Sequence, residues 1–328
     1  MTALLHSRFP ALRETLPRLP LGSGPTPVRE LPNLSPGPVS LWLKDDGAYG
    51  DGGWGGNKVR KLEWLLAEAV RRNRTVLTVG ALGTNWGLAT ARYGADHGLR
   101  TALALVDQPL DDHVRAQLRR LADSGARLHF THTKARTIAA VPYLILRHRL
   151  PYIVPAGGSN PLGVLGYVEA AFELAGQIAA GELPAPSHIV VPVGSGGTAA
   201  GLHLGLHLAG LPDITVVAVV VNDTLRLDVG TLQRLAYRSA ALLARRGARL
   251  PQLSLSAERL LVTRDWLGAG YGHPTPSAGE ASSKARELEG LCLEPVYTAK
   301  ALAAALHLTA RGELGSGPVL FLNTNGPR

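Results

Sequence analysis

Cysteine is nearly missing from this chain: Cys292 is the only one in 328 residues. No internal disulfide can form, no thiolate zinc cluster can be assembled, and the usage fits a reducing cytoplasm. Aromatic residues make up only 5 % of the chain, leaving few stacking platforms for bases, and no dense basic block appears despite a formal charge of +9. The expectation is therefore no nucleic-acid partner. No stretch of about twenty apolar residues runs without charges or helix breakers, and the first twenty residues lack an apolar core followed by a small-residue cleavage site. Neither a membrane span nor a signal peptide is expected. The histidines are dispersed with no HExxH pair, so no metal site is expected either.

What is present is a globular composition, 45 % hydrophobic and 18 % charged, long enough for one large or two moderate domains. The first 38 residues, rich in Pro, Leu and Gly, read as an arm wrapping a domain rather than a regular element. LWLK at 41 to 44 reads as a strand, and Val59, Leu62, Leu65, Leu66, Ala69 and Val70 recur at helical spacing from Lys58 to Arg72. Strand and helix then alternate. TVLTVG, TALALVD, ARLHFT and YIVPAG are strands, with helices at LATARYGADHG from 88 and at DDHVRAQLRRLADSG. The second half repeats the pattern through HIVVPVG, ITVVAVVV and PVLFLN, β-branched runs with little alternation, as parallel strands buried on both faces have. The fold class is α/β, with two open twisted sheets and a cleft between them.

Two motifs carry chemistry. In VVPVGSGGTAAG a buried strand ends at Gly194-Ser195-Gly196-Gly197-Thr198 and a helix begins at once. Glycines admit close backbone approach, and the free N–H groups of a helix start can receive a phosphate. The loop lacks the lysine of the GxxxxGK[ST] nucleotide motif, so a singly phosphorylated cofactor suits it better than a triphosphate. GGWGGNKVRKLE places Lys58 behind four glycines at a helix start, where a buried, neutral amine could form an imine with an aldehyde. Arg60 and Lys61 on the next turn are either a solvated face or anion ligands. Read locally, a lysine at a helix start such as Lys58 is more often solvated than catalytic.

Together with PTP at 25 to 27, LWLKDD at 41 to 46, GALGTNWG at 80 to 87, GGSNPLGVLGYVEAAFEL at 157 to 174 and LEPVYTAKA at 293 to 301, these motifs give the chain a resemblance. It resembles the pyridoxal-phosphate enzymes of the tryptophan-synthase β fold (fold type II), in the branch of aminocyclopropane-carboxylate deaminases and D-cysteine desulfhydrases. The resemblance covers almost the whole chain. It implies a larger cofactor domain, 1–74 and 166–328, with a smaller inserted domain, 75–165. It makes Lys58 the Schiff-base lysine, Gly194 to Thr198 the phosphate cup and Lys61 a further cofactor ligand. It sets Asn85 near the cofactor's phenolic oxygen, Tyr297 in the catalytic site and Thr298 at the pyridine nitrogen.

The implied reaction is α,β-elimination or deamination of a small or modified amino acid through an aminoacrylate to a 2-oxo acid and ammonia. A β-replacement synthase, an amino-acid racemase and a ligand-binding homologue with reduced turnover are the alternatives. A cytoplasmic homodimer is the implied state. The chain departs from its relatives at Thr84-Asn85-Trp86, where they carry serine, asparagine and histidine. Thr84 keeps a hydroxyl for a substrate carboxylate, while Trp86 and Trp54 are expected on the substrate side. Asn325 interrupts a Thr-Gly-Gly turn, and Cys292 is expected to be a buried packing residue.

Overall fold

The computed structural model describes residues 3–35, 37–51 and 56–326. Its β-branched runs lie at the centre of a six-stranded sheet of order β1-β2-β10-β7-β8-β9. These are β1 (Val28–Glu30), β2 (Leu41–Asp45), β7 (His188–Val193), β8 (Thr215–Val220), β9 (Leu260–Thr263) and β10 (Val319–Asn323). Only the short edge strand β1 runs antiparallel. A second sheet, all parallel, has the order β5-β4-β3-β6, from β3 (Val76–Ala81), β4 (Thr101–Val106), β5 (Arg127–His132) and β6 (Tyr152–Ile153). The helices in chain order are α1 (Leu4–Arg8), α2 (Leu12–Thr15), α3 (Asn57–Arg72), α4 (Asn85–Asp96), α5 (Asp112–Asp123), α6 (Lys134–Arg147), α7 (Leu165–Ala179), α8 (Gly197–Leu208), α9 (Val229–Arg245), α10 (Pro276–Glu289) and α11 (Thr298–Ala310). None of them is long and apolar enough to cross a membrane.

Three local expectations are corrected. The N-terminal arm contains α1, α2 and β1, because Leu5, Leu12 and Leu16 bury themselves beside Trp64 and Val168. Ala3 cannot cap α1 with its side chain, so the carboxylate of Glu169 on α7 does so from a distance, accepting from the N–H groups of Leu4 and Leu5 at 2.5 and 2.8 Å. Helix α4 begins at Asn85, three residues before the expected start, because the Thr84 hydroxyl caps it by accepting from Gly87 N–H at 3.1 Å. Cys292 is exposed, not buried: the extended segment turns Leu291 and Leu293 into the core and its middle residue outward.

Helix α3 is the wall between the two sheets. Val59, Leu62, Leu65, Leu66 and Ala69 pack with Val76, Trp86, Ala89 and Val154, while Trp64 packs with α1, α2, α7 and α8. The helix is therefore buried on nearly all sides from Val59 to Ala69, its charged residues included. Arg60 is neither solvated nor a free anion ligand. Its guanidinium donates to both carboxylate oxygens of Asp46 and to Glu173, at 2.7 to 3.0 Å. Lys44 donates to Glu173 at 2.7 Å, and Tyr167 Oη to Asp46 at 2.6 Å. One turn on, Glu63 accepts both forks of Arg18 and the hydroxyl of Tyr49.

Removing one member of a buried ion cluster strands its partners, at a cost of about 3–5 kcal/mol. Glu173→Gln should lower the unfolding free energy by about that amount, read by urea titration. Burial pushes the Glu173 carboxyl up, but Arg60 and Lys44 outweigh it and hold it at about 2 against the ordinary 4.5. Its contribution to stability is thus complete above pH 4.5 and is lost as the pH falls toward 2. The acid limb of the wild-type stability curve in that range should flatten in the variant.

Candidate active site

The carboxyl ends of both parallel sheets converge on one place, where open α/β sheets bind ligands. At the end of β7 the chain turns through Gly194 to Gly197 into α8, with Gly196 at φ 87°. Only glycine takes that conformation without strain. A side chain at Gly197 would meet Ser159 Oγ at 2.5 Å and Lys61 Nζ at 3.0 Å, and one at Gly194 would meet the Tyr297 ring at 2.8 Å. The turn is thus walled by polar groups on one side and an aromatic ring on the other. Gly197 N–H donates to Ser159 Oγ at 3.0 Å, and the hydroxyls of Ser159 and Ser195 share a hydrogen bond of 2.8 Å. Thr198, buried, continues the first turn of α8.

Lys61 completes this cup. Its ammonium donates to Gly157 O at 3.2 Å and Ser159 Oγ at 3.4 Å. Among the charged side chains buried on α3, Arg60, Glu63 and Glu68 each face an opposite charge. Lys61 has no carboxylate partner among the described residues. Burial, and secondarily the charge of Lys58, lower its pKa to about 7. A buried cation with no counterion, beside free helix-start N–H groups and two hydroxyls, is a site for a dianionic phosphate.

Lys58 lies three residues earlier on the same helix, half-buried, and its ammonium donates to Asn57 Oδ1 at 3.1 Å. The clamp on Arg60 fixes the turn that carries it. The chain's closing turn approaches from the other side: a side chain at Gly56 would meet Gly326 N at 2.7 Å. The turn itself is tied down by Asn323, whose amide donates to Asp45 at 2.8 Å and whose Oδ1 accepts from Asn325 N–H at 3.2 Å. Trp54 lies outside the described residues.

In the smaller sheet, β3 leads to Thr84 and Asn85. The Thr84 hydroxyl is occupied in capping α4. Asn85 Oδ1 accepts from Gln117 Nε2 on α5, and Gln117 Oε1 accepts from Arg120 at 2.8 Å. This chain leaves the Asn85 amide nitrogen as the donor on its other side. Trp86 is in the core rather than lining an open cleft: its indole N–H donates to Thr78 at 2.9 Å, and its ring edge lies against Gly158.

Tyr297 precedes α11, with its backbone N–H and that of Thr298 donating to Glu294 Oε1. Thr298 Oγ1 accepts from Glu294 N–H at 3.0 Å, so this hydroxyl is drawn to its own turn. The Tyr297 hydroxyl donates to Tyr271 Oη at 3.0 Å, the rings meeting edge to face. Burial raises the pKa of both phenols; their one hydrogen bond raises that of the donor Tyr297 further and offsets part of the rise at the acceptor Tyr271. Both remain proton donors at neutral pH. The sequence reading missed Tyr271, Ser159 and Gln117. Ser159 stood inside a motif already quoted, but Tyr271 sits among glycines with no periodicity to mark it.

These features define the fold type II class of pyridoxal-phosphate enzymes. The model of the family "Pyridoxal-phosphate dependent enzyme" matches residues 19–325, and the chain belongs to that family. D-cysteine desulfhydrases from Salmonella paratyphi A and Salmonella choleraesuis are each 34 % identical to it over 324 residues, spanning 94 % of both chains. The crystal structure of an ACC deaminase homologue, 30 % identical, superposes with a TM-score of 0.79 over 99 % of this chain and 95 % of that one. A hydrogen sulfide-producing enzyme from Fusobacterium nucleatum, 15 % identical, shares the fold with a TM-score of 0.62 over 93 % of this chain and 94 % of the other. Pyridoxal phosphate is the cofactor, and the cup and Lys61 fit its phosphate.

Sulfate, a dianion throughout the neutral range, reports on Lys61. In cofactor-free protein its affinity should begin to fall above pH 7, by up to about tenfold per unit as the ammonium is lost. Calorimetric titration at pH 6, 7 and 8 should show this trend in the wild type and none in Lys61→Gln.

Proposed function

We propose that the enzyme catalyses α,β-elimination on a small amino acid with a thiol-like leaving group, D-cysteine foremost, giving a 2-oxo acid, ammonia and a sulfide. The paired hydroxyls of Tyr297 and Tyr271 beside the cup carry this reading, and the desulfhydrase relatives support it. Bound pyridoxal phosphate supplies an aldehyde for covalent attachment and a ring that accepts electron density from the α-carbon. Lys58 holds the cofactor at rest and, once displaced by the substrate's amine, takes the α-proton. Tyr297 would turn its phenolic proton from Tyr271 Oη, to which it donates at rest, to the departing sulfur, and Tyr271 would then donate its own proton back to Tyr297. Asn85, fixed by Gln117, would hold the cofactor's phenolic oxygen, and Thr298 would stand at the pyridine nitrogen as a neutral group, its hydroxyl first leaving Glu294. The segment 75–165 serves as the smaller domain, closing Asn85 over the substrate. The active form is a cytoplasmic homodimer.

Adding pyridoxal phosphate should produce a visible absorption band from the lysine-bound cofactor that Lys58→Ala abolishes. A wild type with no band contradicts the lysine assignment. Tyr297→Phe should keep the band and lower kcat by roughly 10²- to 10⁴-fold, as loss of a general acid does. Tyr271→Phe added to it should cost little more, because the two act as one relay. Exchange of the α-proton of D- or L-amino acids without ammonia release would instead identify a racemase, and transfer of an added nucleophile to the β-carbon a synthase.

A further inference from the structure

At the opposite end of the smaller sheet from the active site, where β3, β4 and β5 begin, lies a second cavity of about 490 Å³. Five arginines line it, Arg74, Arg100, Arg127, Arg147 and Arg149, around the buried His148. No aspartate or glutamate is among its lining residues. Among the described residues, Arg100, Arg127, Arg147 and Arg149 form no ion pair.

Like charges gathered on a concave surface repel one another, and the turns that carry them, one of them the left-handed cap of α3, keep them together. Asn73, Arg149 and Leu150 have φ of 48°, 54° and 56°, three of only four non-glycine residues with positive φ among those described. Arg74 ties the turn by donating to the carbonyls of Arg149 and Leu150 at 2.9 and 3.1 Å. The floor is equally deliberate: His148 Nε2 meets His129 Nε2 at 2.9 Å. Burial lowers the pKa of both rings; His129 lowers that of His148 further, and Arg127 and Arg147 lower both.

We propose that this cavity binds a small polyanion carrying two or more linked phosphate groups. Planar guanidinium forks match phosphate oxygens in pairs, and several around one concavity match a chain of phosphates rather than one. The volume suits a molecule of nucleotide size. No Phe, Tyr or Trp lines the cavity, so it offers no stacking platform for the bases of a nucleic-acid strand. The site is separate from the cofactor cup, since α3 carries Lys58 at one end and reaches Asn73 at the other, about 24 Å along a 16-residue helix.

The test uses the holoenzyme, whose cup is filled by its own cofactor, and calorimetric titration with tripolyphosphate in moderate salt. One saturable site per chain is expected. The exposed pair Arg100→Gln/Arg127→Gln should weaken it at least tenfold while leaving the melting temperature and cofactor spectrum unchanged. A control pair on α9, Arg238→Gln/Arg245→Gln, removes the same charge and should leave binding intact. ATP binding more tightly than tripolyphosphate, with the same arginine dependence, identifies a nucleotide as the source of the phosphates. ATP binding no more tightly identifies a free oligophosphate. Absence of saturable binding, equal weakening by the control pair, or binding of a short DNA duplex but not of tripolyphosphate would overturn the proposal.

Discussion

Arg60 is almost completely buried, and burial alone would make its charge costly. Asp46 and Glu173 face it on two sides and hold it protonated. Those carboxylates come from distant places, one just after strand β2 and the other from helix α7, so the cluster locks the start of α3 to the larger sheet. Everything on the first turns of that helix inherits the lock. Lys61 faces the cup, and Lys58 stands on the turn before it, with Arg60 clamped between them. One rigid helix thus sets the separation of the two amines, Lys58 and Lys61.

The same helix explains why Lys61 differs from its neighbours. A buried charge is stable when paired, and α3 pairs Arg60, Glu63 and Glu68 within the chain. Lys61 has no carboxylate partner among the described residues, and burial together with the charge of Lys58 lowers its pKa to about 7.

The glycine turn was legible in the sequence because local rules govern it: a buried strand, a run of glycines and an immediate helix leave few conformations, whereas Lys58 stood out only through the resemblance to a family. The parallel sheets were legible for the same reason, through unbroken β-branched runs. What could not be read was long-range. Nothing near Arg60 in sequence says that Asp46 and Glu173 meet it, nothing near Leu4 names Glu169 as its cap, and Tyr271 reaches Tyr297 only through the fold. Trp86 illustrates the converse. Its place beside Asn85 suggested a substrate contact, but Thr78 offers its indole a buried hydrogen-bond partner, and the ring packs with α3 instead. Cys292 also defeated a local reading, since an exposed cysteine between two buried leucines follows from extended backbone that composition does not announce.

The departure at Thr84-Asn85-Trp86 can now be placed. Thr84 starts α4, Trp86 anchors that helix to the core, and Asn85 is held between them by Gln117. Three consecutive residues of the loop are thus each held by a side-chain hydrogen bond. The central claim is that the first turn of α3 delivers Lys58, and no other amine, to the cofactor. Borohydride reduction of the holoenzyme followed by peptide mass mapping tests it most directly. A single pyridoxyl-modified lysine at position 58 is the predicted result; modification of Lys61 or of any other lysine in its place would contradict the account.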